Sequence, residues 1–277
     1  MRSIGLICTY LGPLPWYFQY FLYTCKRNPS VSFFIFSDEN KNDLEFPENV
    51  KLINISLDQF NELASKKLGF LVKIANSYKI CDFKPAFGLF FEDYLKEFDF
   101  WGHIDLDIIW GDIRFFITED ILNNNELVCV RHDFLTGYFL LFKNSQKMKY
   151  LFMESKDFKK VFLSSKHYCF DETNFDFVSF SNHIPLEEMN SEIESMMHVV
   201  KKMQIQNRIK AYFDFMVIEG LPGKIRWKNG KLYYKNKFEV LLYHMILFKK
   251  VYMPKNRIIN IPNEFRISPT RIYHSWK

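Results

Sequence analysis

Glycine and proline are scarce, ten of each in 277 residues, which excludes a collagen-like or low-complexity chain. Cysteine is scarce as well. The five present, Cys8, Cys25, Cys81, Cys129 and Cys169, are odd in number, widely spaced and never paired as C-x-x-C. Neither a disulfide framework nor a zinc knuckle is therefore expected, and a reducing cytoplasm suits them best. No apolar run approaches the ~20 residues of a membrane-spanning helix. The run after Arg2, Ile4-Gly5-Leu6-Ile7-Cys8, is five residues long and stops before Gly12-Pro13. That is short for an export signal and suits a buried first strand. Internal repeats and low-complexity linkers are absent too.

Aromatic residues are abundant: 31 Phe, 15 Tyr and 5 Trp. Most belong in a core, and the remainder can stack on flat ligands such as bases and sugars. With 48% apolar and 25% charged residues the chain has the composition of a soluble globular protein, long enough for one large domain or two fused lobes. The net charge of +5 is unevenly distributed. Residues 224–277 carry 13 Lys and Arg against two acids, Glu239 and Glu264, whereas residues 1–223 carry 24 basic and 30 acidic side chains. A cationic end of this kind can meet an anionic membrane, a phosphorylated substrate or nucleic acid, or can stay solvated.

Short apolar runs at Ser3–Thr9, Val31–Phe36 and Val50–Ile55 read as strands. Helices are expected from Pro15 to about Arg27 and after Ser56 or Asp58, either of which can cap. A further helix is expected from Pro85 to about Lys96, followed by a strand over 98–104, strands over 127–131 and 138–142, and an amphipathic helix over 143–165. Asn229-Gly230 between alternating segments predicts a tight hairpin. The order implies an α/β fold, a mainly parallel sheet flanked by helices. We expect one domain over residues 1–195 and a basic C-terminal extension over 196–277 packed against it.

The sharpest chemical feature is W101-G-H-I-D-L-D-I-I-W-G-D112. On a strand, side chains i and i+2 share a face, so Asp105 and Asp107 would converge. Two like charges beside an apolar run require compensation, and a divalent cation supplies it. Oxygen ligands favour Mg²⁺ or Mn²⁺, ions that bridge to diphosphate oxygens.

Taken with C81-D-F-K-P-A-F-G88, with T9-Y10 after the first strand and with S37-D38 after the second, this motif resembles nucleotide-sugar glycosyltransferases of the GT-A fold. Within that group the series D-F-K-P, F-W-G-x-x-D-x-D and G-D is similar to small bacterial enzymes of capsule and lipopolysaccharide synthesis, over roughly residues 3–180 and again near 239–250. The resemblance implies a Rossmann-like GT-A sheet, a UDP-sugar donor, Mn²⁺ or Mg²⁺, and a saccharide acceptor, for which attachment to a lipid would make a membrane-visiting basic end useful. It implies that Thr9, Tyr10 and Asp38 meet the nucleoside, with Asp82 and Lys84 near the sugar and diphosphate. Asp105 and Asp107 would bind the metal, with His244 completing the site and Lys249 or Lys250 neutralising the leaving group. Competing roles are a turn for Asp38, a helix start for Lys84-Pro85 and an ordinary core histidine for His244.

An inverting transfer needs a general base beyond the sugar. Asp171 and Glu172 are the first candidates, with Asp133 in H132-D-F-L-T-G137 second. In relatives His132, Asp133 and Gly137 border the sugars, and Asp171 also suits a helix cap. Two other classes fit the same ingredients, a metal-dependent nuclease or phosphodiesterase and a non-catalytic sugar-nucleotide-binding protein. No nucleic-acid-binding motif is present. The cationic, aromatic end, with Trp276, suits peripheral contact with the cytoplasmic face of a membrane.

Overall fold

The computed structural model describes residues 1–39, 45–255 and 260–274, so Trp276 lies outside the described residues. Strands β1 (Ile4–Thr9), β2 (Val31–Ser37), β3 (Val50–Asn54) and β4 (Phe100–Ile104) are followed by β5 (Ile108–Trp110), β6 (Leu127–Cys129), β7 (Phe139–Lys143) and β8 (Ala211–Phe213). The remainder are β9 (Val217–Glu219), β10 (Ile225–Lys228), β11 (Lys231–Tyr234), β12 (Phe238–Val240), β13 (Leu242–His244), β14 (Glu264–Ile267) and β15 (Ile272–Tyr273). The main sheet has seven strands in the order β3-β2-β1-β4-β7-β6-β8. β3, β2, β1 and β4 run parallel, β7 is antiparallel to both its neighbours, and β8 pairs parallel with β6. The result is a mixed α/β sheet with helices on its faces, of Rossmann-like type.

The apolar runs are nearly unbroken because this sheet is covered on both sides. Alternation sends Leu6, Cys8, Phe33 and Ile35 into one core with Trp110 and Trp227. Ile7, Phe34 and Phe36 go to the opposite core with Phe60, Phe83 and Trp101. Trp101 on β4 stands opposite Phe142 on β7 and stacks on it at 4.3 Å.

Strand pairing crosses the expected boundary at residue 195. β8 completes an edge of the main sheet, and β13 lies between β5 and β9 in a three-stranded sheet. β10, β11, β12, β14 and β15 form a third sheet, bound to the first core through Trp227, whose Nε1 donates to Trp110 O at 2.8 Å. The hairpin at Asn229-Gly230 forms as expected: both residues have positive φ, 51° and 91°, and Lys228 pairs with Lys231.

Helices are shorter than the sequence pattern implied. The first is Phe18–Cys25, and the stretch expected as one helix over 143–165 breaks into Gln146–Lys149, a 3₁₀ turn at Leu151–Glu154 and Phe158–Leu163. The segment around Pro85 is a 3₁₀ run, Ser77–Ala86, before two single turns, Phe87–Phe90 and Glu92–Leu95. The break falls at Phe91, whose φ of −106° and ψ of 24° lie outside the α-helical region. Among the described residues the longest helix is Leu57–Leu68, with a Ser56/Gln59 capping box and a left-handed Gly69 at its end. Among the described residues no helix is long and apolar enough to cross a membrane.

Gly102, in the middle of β4, marks the tightest packing in the sheet. A Cβ there would fall 2.5 Å from Leu140 O and 2.9 Å from a Leu6 methyl. Gly102→Ala is expected to lower the unfolding free energy by about 1–3 kcal/mol in urea titration. A variant as stable as the parent would contradict this packing.

Candidate functional site

β4 ends at Ile104, and Asp105, Leu106 and Asp107 form the turn into β5. The expected strand alternation is therefore not what brings the carboxylates together. Asp105 N–H donates to Tyr138 O at 3.1 Å, the last link to β7, and buried Leu106 anchors the turn. A distant segment closes the site. β13 runs antiparallel to β5 with His244 opposite Ile108, and Met245 N–H donates to Asp107 O at 2.8 Å. Ligand atoms of Asp105, Asp107 and His244 all lie within 4.8 Å of one another.

His244 is oriented from behind. Its Nδ1 lies 3.4 Å from Glu219 Oε1 on β9, and Nε2 lies 3.3 Å from Asp107 Oδ2. Tyr138 packs on its ring at 4.1 Å. A carboxylate on one ring nitrogen, leaving the other aimed at paired carboxylates, is how metal-binding imidazoles are commonly held. Glu219 is in turn paired with Arg131 at 2.7 Å, and the same guanidinium grips Asp133 through two bonds of 2.8 and 2.7 Å.

Two lysines face the acidic pair. Lys249 Nζ lies 2.7 Å from Asp107 Oδ2, and Lys84 Nζ lies 2.6 Å from Asp105 Oδ1 and 2.9 Å from Gly137 O. Burial would push the Asp107 carboxyl up, but the hydrogen bonds and charges of His244 and Lys249 outweigh it and hold it well below the usual range. For His244 burial acts downward, yet its bonds to Asp107 and Glu219 raise it to about 9. Without a metal, Asp105, Asp107, Glu219 and Asp133 are thus matched by Lys84, Lys249, His244 and Arg131. Two hard carboxylate donors and an oriented imidazole suit Mn²⁺ or Mg²⁺, and a metal arriving on Nε2 would release its proton.

A cleft of about 220 Å³ opens over this cluster, lined by Thr9, Tyr10, Tyr17, Lys84, Asp105 and Lys249 among others. It shares Leu11 and Ser77 with a shallower groove of about 440 Å³ that reaches Gly12 and Asp38. Sequence-derived residues from β1 and β2 thus join the acidic pair along one trough. Asp38 is exposed, with one oxygen accepting Gly12 N–H at 2.7 Å. Thr9 Oγ1 is buried with no protein partner, a polar atom left over at the cleft. A larger cavity of about 580 Å³ lies on the third sheet, between Lys224, Lys235, Arg266 and Tyr273, and shares no residue with the trough. Its size does not make it the chemical site, because among the described residues the one cluster of potential metal ligands lies at the trough.

Other expected residues stand elsewhere. Asp82 is fully buried and turned from the cleft: Oδ2 accepts from Lys79 Nζ (2.7 Å) and Tyr168 N (2.9 Å), while Oδ1 accepts from Phe170 N (2.8 Å) and lies 3.1 Å from His167 Nδ1. It fixes the 167–171 segment and does not face the expected donor. Asp133 is consumed by Arg131 and by Ser181, whose Oγ donates at 2.7 Å. Asp171 and Glu172 are packed under Gly137 rather than lining the cleft. Glu172 Oε1 accepts Gly137 N–H at 2.5 Å, and Asp171 Oδ2 lies 3.7 Å from Lys84 Nζ. Burial pushes both carboxyls up; Lys84 opposes this at Asp171, but the charge of Glu172 adds to it. A Cβ on Gly137 would meet Asp171 Oδ2 at 2.4 Å, which explains the glycine. Lys250 is exposed, one position away from Lys249, and His132 packs edge-on against Phe215.

Glu219, Arg131 and Tyr138 escaped the sequence reading. Glu219 carries the same signature as Asp105, an acid ending a short apolar run, here V217-I-E219 before Gly220. The profile of a family described as "Family of unknown function (DUF6625)" matches residues 6–275, so the chain belongs to that family. No curated protein matches the chain.

The placement of Asp82 makes it structural. Its burial acts upward, but His167 and Lys79 hold the carboxyl below its ordinary value. A depressed carboxyl stabilises fully at neutral pH, and that contribution is lost as pH falls below about 4. Asp82→Asn, which strands buried Lys79, is expected to cost about 3–5 kcal/mol and to flatten the acid limb of the stability profile, measured by denaturant titration across pH 3–7.

Proposed function

We propose that this member of the DUF6625 family is a metal-dependent glycosyltransferase of the GT-A type. It would move a sugar from a nucleotide diphosphate sugar, with uridine the expected base, to a saccharide acceptor in bacterial surface polysaccharide synthesis. The observation that carries this reading is the trough itself. A groove at Asp38 adjoins, through Leu11 and Ser77, a cleft that holds Tyr10, two carboxylates and two lysines, with the His244 imidazole behind Asp107, an order of groups that suits a nucleoside diphosphate ester from base to sugar.

Tyr10 offers a ring for stacking on the base, and Asp38 a carboxylate that accepts from an imide N–H. Asp105, Asp107 and His244 would hold Mn²⁺ or Mg²⁺, with Glu219 fixing the imidazole. When bound, the ion supplies charge neutralisation for the departing diphosphate. Lys249 adds a flexible positive charge at the same place, one that strengthens as negative charge develops in the transition state. Lys84 pairs with Asp105 and joins it to Gly137 O. Asp171 and Glu172 form the acidic floor beneath Lys84. With raised carboxyls and no opening to the cleft they are assigned to shaping that floor rather than to proton abstraction.

The cationic C-terminal segment is read as a peripheral contact with the cytoplasmic face of an anionic membrane, suited to a lipid-linked acceptor. Cosedimentation with anionic liposomes is expected to fall as salt rises, and binding unchanged between low and high salt would count against this contact.

The central test is a screen of nucleotide sugars for Mn²⁺-dependent hydrolysis in the absence of acceptor. Asp105→Ala is expected to reduce hydrolysis at least about 100-fold while the fold survives. Activity of that variant equal to the parent, or thermal stabilisation by oligonucleotide instead of UDP with Mn²⁺, would sink the reading in favour of a nuclease.

A further inference from the structure

We infer that Lys84 and Lys249 are resident counter-ions of the metal ligands. The cleft then takes up a divalent cation and a diphosphate together, and takes either one alone only weakly. This rests on the reading of the trough given above, and it concerns how its two ligands depend on each other.

Each carboxylate already carries a lysine on one oxygen. Lys249 Nζ lies 2.7 Å from Asp107 Oδ2, the same oxygen that faces His244 Nε2, and Lys84 Nζ lies 2.6 Å from Asp105 Oδ1. A Mg²⁺ or Mn²⁺ ion held by these oxygens would bring its charge close to both ammonium groups. Like charges at that range repel strongly in a partly buried site. A bare cation must therefore break the Lys249–Asp107 ion pair, and the displaced ammonium gains only water in exchange.

The two lysines are unequal. Lys84 has 6% side-chain exposure, bonds Asp105 and the Gly137 carbonyl, and has Asp171 at 3.7 Å. It is fixed. Lys249 has 31% side-chain exposure and rises from a single helical turn, Phe248–Val251, at the cleft rim. Among the described residues its ammonium has one hydrogen-bond partner, Asp107. Lys249 is thus the group able to leave.

A diphosphate gives it a destination. With the ammonium on phosphate oxygens, Asp107 Oδ2 is free for the metal, and the two charges of a diphosphate diester balance those of the ion. Diphosphate then raises metal affinity, and by linkage the metal raises diphosphate affinity by the same factor. Lys249 acts in this scheme as the coupling residue.

The experiment measures heat-unfolding midpoints of the full chain with MnCl₂ alone, UDP alone and both, with pyrophosphate as a second diphosphate probe. In the parent, each ligand alone should shift the midpoint little, and the two together should shift it by clearly more than the sum. Lys249→Met should increase the shift with MnCl₂ alone and bring the combined shift down to the sum, whereas Lys249→Arg should keep the excess. Additive shifts in the parent, or an undiminished excess in Lys249→Met, would overturn the coupling while leaving the proposed site standing. A parent that responds to none of these ligands in any combination would overturn both.

Discussion

The ionised carboxylate of Asp107 is the constraint around which the molecule is organised. A side chain with 4% exposure keeps its charge only if opposite charge is brought to it, and the chain brings it from two remote places. β13 supplies His244 and the following helical turn supplies Lys249, so the same ionic contact that makes the site also ties the last third of the chain to the β4–β5 turn. Glu219 and Arg131 extend this compensation outward, pairing strand β9 with the segment after β6. Electrostatics and topology are thus one arrangement: the three-stranded sheet β5-β13-β9 exists at the place where an uncompensated acid would otherwise be buried.

A second balance lies below it. Lys84 emerges from the 3₁₀ run Ser77–Ala86, and it is held between Asp105 above and Asp171 beneath. Gly137 has no side chain because the Asp171 carboxylate occupies that space, and its N–H and C=O are both spent, on Glu172 and Lys84. Asp82 performs the less visible task of holding the 167–171 segment so that this acidic pair stays under the lysine. The floor of the trough is thus tied by buried contacts, whereas Lys249 at its rim is partly exposed.

Much of the main sheet was legible because its strands are continuous apolar runs bounded by turn residues, as at Ile4–Thr9 and Val31–Ser37. The Asn229-Gly230 hairpin was legible for a stronger reason, since its positive φ values restrict the residue types that fit. Helices were harder to read. The 143–165 segment has helical periodicity, yet aromatic packing of Phe152, Phe158 and Phe162 breaks it into turns, a tertiary effect that periodicity does not carry. Of the site, the acidic pair and its lysines were readable as local motifs. Their geometry was not, because it depends on the turn at Leu106 and on a pairing between residues more than a hundred positions apart. Asp82 misled for the same reason: a buried acid that caps backbone N–H groups and an acid that faces a ligand look alike in one dimension.

The insertion of β13 between β5 and β9 has a further consequence for biosynthesis. During translation the β1–β4 half and its D-x-D turn emerge long before His244 and Lys249, so a nascent chain holds its two aspartates without their compensating cations. Loop-closure entropy makes so distant a pairing late. A ribosome-bound or prematurely terminated chain would hold the main sheet while Asp107 still lacked the imidazole and the ammonium that the final segment brings to it.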